Sequence, residues 1–89
     1  MKKQNEFGIH LASYKTVENA SRELKQLRKQ LEPLIRDEDF SIRRVDLGDK
    51  KGVWYRIFAG RFKDKNSALA LKQALKGKHL YAEITRLSR

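Results

Sequence analysis

The sequence predicts an α+β sandwich in the order β-α-β-β-α-β, a four-stranded antiparallel sheet with two helices on one face. Three observations predict it. Short runs of alternating hydrophobicity are separated by two stretches whose apolar residues recur every three or four positions. A shift of 48 residues superposes one half of the chain on the other: Ile9 on Ile57, Ala12 on Gly60, Tyr14 on Phe62, Lys15 on Lys63, Ala20 on Ala68 and Leu27 on Leu75. That echo spans strand, turn and helix, as two stacked β-α-β units would. Finally, 89 residues at 39% hydrophobic composition supply one small core.

The elements follow in order. The first six residues are expected to form a polar leader, residues 7–87 the domain, and residues 88–89 a short tail. Phe7 to Tyr14 alternates as a strand, with Phe7, Ile9 and Leu11 inward and Gly8, His10 and Ala12 outward. Thr16 is placed to cap a helix whose apolar stripe is Val17, Ala20, Leu24, Leu27 and Leu31, stopped by Pro33. Asp37-Glu38-Asp39 reads as a solvated turn, since no ligand cluster surrounds it to make a metal site. Phe40 to Leu47 is a second strand with a slip in its alternation near Arg43-Arg44. Gly48 to Gly52 is the hairpin loop that follows it.

The third strand, Val53 to Gly60, carries the densest chemistry in the chain. Alternation puts Val53, Tyr55, Ile57 and Ala59 on one face and Trp54, Arg56 and Phe58 on the other. An unpaired arginine between two aromatics is costly to bury, so the Trp54/Arg56/Phe58 face is expected to be open to solvent or to a ligand. The competing reading makes these aromatics core, with Arg56 reaching past them to an edge. Asp64 or Asn66 can cap the second helix, which has Ala68, Leu71 and Leu75 on its stripe and Gly77 as its stop. Tyr81 to Leu87 is expected as the last strand. Right-handed crossovers place strands one and three centrally, the ferredoxin-like or RNP-like arrangement. The echo pairs His10 with Phe58, so both are expected to face away from the helices, beside Trp54 and Arg56.

Charge narrows the partners. Lys plus Arg number 21 against 11 Asp plus Glu, a net +10, which favours a polyanion. The basic residues are scattered rather than blocked, which a generally basic soluble surface would also explain. Cysteine is absent, so a disulfide frame and thiolate chemistry are excluded. No apolar run approaches the ~20 residues of a membrane span. No cofactor motif, metal-ligand spacing or nucleophile motif is present, so no catalytic residue, metal or cofactor is expected. His79 reads as a loop residue.

Ile9-His10-Leu11-Ala12-Ser13-Tyr14, the helix with Ala20, Gly52-x-Trp54-Tyr55-Arg56-Ile57-x-x-Gly60-x-Phe62, then Ala68 and Leu75 resemble the SPOR domain. The similarity runs from about Phe7 to Arg86. SPOR domains are non-catalytic peptidoglycan-binding modules of bacterial cell-division and cell-wall proteins, and their sheet face takes glycan strands stripped of stem peptides. The resemblance therefore implies a glycan partner, a place in the periplasm or envelope at the division septum, and a monomer that does not itself enter a membrane. Carried over by position, the family's strand-one glutamine falls on His10 and its serine on Ser13. The strand-three tryptophan and arginine fall on Trp54 and Arg56, and an aliphatic contact on strand four falls on Ile84. Phe58 joins these as a surface for sugar-ring packing. Two positions depart from the family: His10 replaces the amide, and Arg61 stands where proline is common. Ile84 is ambiguous, since alternation can equally turn Ala82 and Ile84 inward.

The chief rival is an RNA-binding RRM, which shares the strand order and an aromatic sheet face. Its third-strand signature of a basic residue, glycine and spaced aromatics is not met by Val53-Trp54-Tyr55-Arg56-Ile57-Phe58, and strand one offers His10 where a stacking aromatic is wanted.

Overall fold

The structure is a computed structural model that describes residues 6–32, 34–36 and 39–87. The elements are β1 (Phe7–Tyr14), α1 (Val17–Leu31), β2 (Phe40–Asp46), β3 (Val53–Phe62), α2 (Lys65–Gly77) and β4 (Glu83–Arg86). The strands form one antiparallel sheet in the order β2-β3-β1-β4, so β1 and β3 are central as expected. Pro33, Asp37 and Glu38, the expected helix stop and two residues of the acidic turn, lie outside the described residues, as do residues 1–5 and 88–89.

One layer of side chains holds the sheet to the helices. Ile9 and Leu11 of β1 and Ile57 and Ala59 of β3 pack with Ala20, Leu24 and Leu31 of α1 and Leu75 of α2. Val17 does not join them; at the first turn of α1 it stays 44% exposed. Both helices start as expected. The Thr16 hydroxyl accepts the Asn19 N–H at 3.1 Å, and the Asp64 carboxylate accepts the Ser67 N–H at 2.8 Å, each satisfying a donor with no partner inside its helix.

The end of α2 differs from expectation. Gly77 is still helical, and the left-handed residue that stops the helix is His79, at φ 65°. The Leu80 N–H bonds the Leu75 carbonyl at 3.1 Å and the His79 N–H bonds the Lys76 carbonyl at 2.9 Å. This paired closure puts the left-handed position two residues past the glycine.

Two irregularities between the central strands decide which side chains share a face. His10 pairs with Phe58 and Ala12 with Ile57, so Leu11 is an extra residue on β1. Beyond it the parity reverses. Ala12, expected outward, pairs with buried Ile57, and Tyr14 packs on the core. A second extra residue on β3, between Ala59 and Phe62, returns Phe62 to the helix side. There Gly60 takes φ 80°, and a Cβ on it would collide with the Phe62 ring. By contrast β2 pairs with β3 without interruption from Phe40↔Ala59 to Asp46↔Val53. The expected slip near Arg43-Arg44 does not occur: Arg43 takes the open face opposite Arg56, and Arg44 the other face opposite Tyr55. The strand stops at Asp46, whose carboxylate accepts the Gly48 N–H at 2.9 Å and starts the turn.

Strand β4 is shorter than expected, beginning at Glu83. Ala82 is buried before it, and Ile84 pairs with Ile9, which is fully buried on the helix side. Glu83 and Thr85 therefore take the open face, opposite His10 and Gly8.

Candidate functional site

The face of the sheet away from the helices gathers four of the six expected residues with room to act. These are His10 and Ser13 from β1, and Trp54 and Arg56 from β3. Plain alternation would put Ser13 on the side opposite His10. The extra residue Leu11 brings it back, and the His10 imidazole Nε2 lies 2.8 Å from the Ser13 hydroxyl. The same nitrogen lies 3.2 Å from the Ala12 carbonyl, which can only accept. Nε2 therefore carries the proton, and in the neutral ring Nδ1 is left as an acceptor.

His10 sits among groups that oppose its protonation. Partial burial, and then the Arg56 guanidinium, hold its pKa below 6.5, while the Ala12 carbonyl and Glu83 pull the other way. Glu83 stands opposite His10 across the β1–β4 pair, but its carboxylate accepts a short hydrogen bond from the Tyr81 hydroxyl. That bond raises the Tyr81 pKa. The Tyr81 ring meets the imidazole edge-on at 5.7 Å and is itself 58% exposed. Ser13, His10 and Glu83 thus share a face without forming a relay, since Glu83 is engaged by a phenol rather than the imidazole.

Trp54 is held at the other end of β3. Its indole N–H donates to the Lys51 carbonyl at 2.8 Å, and the Lys15 ammonium lies 4.4 Å from the ring centroid, bonding the same carbonyl at 3.3 Å. The hairpin loop and the end of β1 so fix the plane of the indole before any ligand arrives. Arg56 lies between Trp54 and Phe58 along the strand, and its Nε–H is buried with no partner among the described residues.

Two expected residues behave differently. Phe58 is on the open face but only 3% exposed, stacked at a tilt 5.5 Å from His10. It is a floor beneath the surface rather than a platform on it. Leu87 lines the same depression as Phe58; this buried side chain rests on Gly8, where a Cβ would come within 2.9 Å of it. Ile84 faces the helices and has no access to this surface. The ambiguity over strand four is resolved by Ala82, whose burial sets the parity.

Four residues escaped the sequence reading. Tyr81 and Glu83 follow once Ala82 is taken as core. Arg43 follows from uninterrupted alternation after Phe40 and Ile42. Nothing in the pattern singles out Lys15. Among the described residues no group of three or more His, Asp or Glu could hold a metal ion, and no helix is long and apolar enough to cross a membrane.

Comparison with known proteins bears on this face. The chain matches the SPOR domain family over residues 3–86. Its fold is similar to the solution structure of the peptidoglycan binding domain of the B. subtilis cell wall lytic enzyme CwlC, with a TM-score of 0.61 and 17% identity, over 99% of this chain and 96% of that one. Comparison with curated protein sequences returns no match.

Proposed function

The chain belongs to the SPOR domain family, and from that premise we propose that it is a non-catalytic peptidoglycan-binding module whose open sheet face takes glycan strands lacking stem peptides. The observation that carries this reading is the convergence of His10, Ser13, Trp54 and Arg56 on one solvent-facing surface, away from the helices. Removing the stem peptides leaves a lactyl carboxylate on alternate sugars, so the strand becomes a regularly spaced polyanion. Arg56 meets one such carboxylate with two parallel hydrogen bonds. Trp54 packs on a sugar ring face, and its fixed indole reduces the ordering that binding must impose. The imidazole Nδ1 accepts from a hydroxyl or acetamido N–H, and the Ser13 hydroxyl takes a neighbouring group. The +10 charge speeds encounter with the polyanion without choosing among polyanions.

In the cell this face would direct the protein that carries it to the envelope at the division septum, where amidases strip the glycan. Two features favour sugar over RNA. Phe58, the aromatic best placed to stack a base beside Arg56, lies beneath the surface. The residue next to it on β1 is a histidine committed to Ser13 and Ala12.

The test is a pull-down of the purified domain on cell-wall sacculi with and without amidase treatment, beside a titration with single-stranded RNA. Enrichment on the amidase-treated wall is expected. Equal capture on both walls, or tighter binding to RNA, overturns the reading.

A further inference from the structure

The open face carries a feature that His10, Ser13, Trp54 and Arg56 leave unexplained. A groove of about 440 Å³ crosses the sheet from β2, over β3, to β4 and the residue after it. Four arginines line it, Arg43, Arg44, Arg56 and Arg86, together with Thr85 and Leu87, and no carboxylate does. The basic residues are scattered along the chain, yet the fold collects four of them around one depression.

Arg43 and Arg56 are direct cross-strand partners. Like charges so placed work against the sheet unless something neutralises them. Among the described residues neither guanidinium has an acidic partner. Arg43 uses one N–H on the Leu87 carbonyl at 3.2 Å, which draws its side chain across the open face toward the end of β4. That leaves four donors of its fork unassigned. Arg56 keeps its whole fork, including a buried Nε–H with no partner. Buried donors are nearly always satisfied, so this N–H is available to an acceptor that a ligand brings.

We propose that the groove is an oxyanion subsite in which Arg43 and Arg56 together hold one carboxylate or phosphate group of a linear polymer lying across the strands. Cross-strand neighbours have Cβ atoms ~4.5–5.5 Å apart, so both forks reach the same group rather than two successive ones. Arg44 and Arg86 border the groove from the two edge strands, but their side chains turn to the other face, so they add only to the longer-range positive field. Only the identity of the carrier, a stem-peptide-free glycan with its lactyl carboxylates, rests on the function proposed above. The subsite itself rests on the arginines.

The experiment has two arms. In the first, the arginine Nε–H resonances of the free domain are followed by NMR while inorganic phosphate or lactate is added. A saturable shift of the Arg56 signal is expected, weakened several-fold in Arg43→Lys and about tenfold or more in Arg43→Gln. The Gly8 and Leu87 amide signals report whether Arg43→Gln keeps the fold; if they move, Arg43→Lys decides the arm. An Arg56 signal indifferent to both anions, or an unchanged affinity in the deciding variant, overturns the proposal.

The second arm compares peptide-free glycan with the same glycan after amidation of its carboxylates. Arg43→Gln should lose about tenfold on the native strand and less than about twofold on the amidated one. Equal losses on both strands would make Arg43 a structural residue and also overturn the proposal. If phosphate shifts Arg56 with the expected Arg43 dependence while no glycan binds, the subsite stands and the glycan reading falls.

Discussion

Replacing Phe58 separates the exposed reading of the open face, which the sequence favours, from the competing reading that makes its aromatics core. If Phe58 is a platform, Phe58→Ala removes a ligand contact and leaves stability alone. If it is a floor, the same change empties a packed site. At 3% exposure the ring is withdrawn from water almost completely. A buried phenylalanine removes ~150–250 Å² from solvent, worth about 4–6 kcal/mol at ~25 cal/mol per Å². Truncations of this kind lose ~3–5 kcal/mol. A domain of this size holds only ~4–13 kcal/mol in all, so Phe58→Ala removes much of it. In urea the midpoint should fall by ~2 M or more with little change in slope. Phe58→Leu keeps most of the volume and should lose only ~1–2 kcal/mol while retaining glycan binding within about threefold. An alanine variant within ~1 kcal/mol of wild type that no longer binds glycan would refute the floor assignment.

Three further outcomes follow from the same geometry. Trp54→Ala should weaken glycan binding by about tenfold or more, beyond any single surface Lys→Ala, because it removes packing and desolvation together; calorimetry on peptide-free glycan checks this. His10 has its pKa held below 6.5 in the fold, so as pH falls below 6.5 the unfolded chain takes up the proton first and stability declines toward the folded value. His10→Gln should flatten that decline in Tm between pH 7.5 and 5.5, whereas a carboxylate ligand favours the imidazolium and should bind wild type more tightly over the same fall. His79→Gly places the permissive residue where α2 requires a left-handed conformation and should raise stability by ~1 kcal/mol in urea melts; a loss would show that the imidazole makes a compensating contact.

The strand order, the central pair and both helix starts were legible because each depends on local pattern. Thr16 and Asp64 can be recognised as caps from the residues beside them, and the 48-residue echo ties Ile9 to Ile57 without any knowledge of pairing. What was not legible depends on neighbours far along the chain. Gly77 has the composition of a helix stop, but Leu80 must reach back to Leu75 for the core, and that contact moves the left-handed turn to His79. Ile84 looks like an exposed aliphatic contact until Ala82 fills a place in the core and fixes the parity of β4. Phe58 reads as exposed because it shares a face with Arg56, and only the tertiary structure, with His10 against its ring and Leu87 lining the same depression, shows that it is not.

The extra residue Leu11 links these two kinds of information. A strand that obeys strict alternation presents every second side chain, about 7 Å apart, and could set His10 beside Ala12 but never beside Ser13. Inserting one residue keeps Leu11 in the core and rotates the next three positions, so the imidazole and the hydroxyl come within 2.8 Å. The same rotation turns Tyr14 onto the helix side, where it packs on the core rather than crowding Trp54. The result is a face with two ends of different chemistry, both anchored to β3. Along β1 it offers the neutral polar groups of His10 and Ser13, with Tyr81 exposed beside them. Across β2 and β3 it offers the Arg43 and Arg56 guanidinium groups, without acidic partners among the described residues. A polymer that alternates hydroxyl-bearing rings with carboxylates matches both ends at once, whereas a uniformly charged polyanion matches only the second. If the sheet takes such a polymer, as proposed above, the bulge serves selectivity as the net charge serves encounter. On the function proposed above, that local irregularity, more than the fold, would be what discriminates among the polyanions the charge attracts.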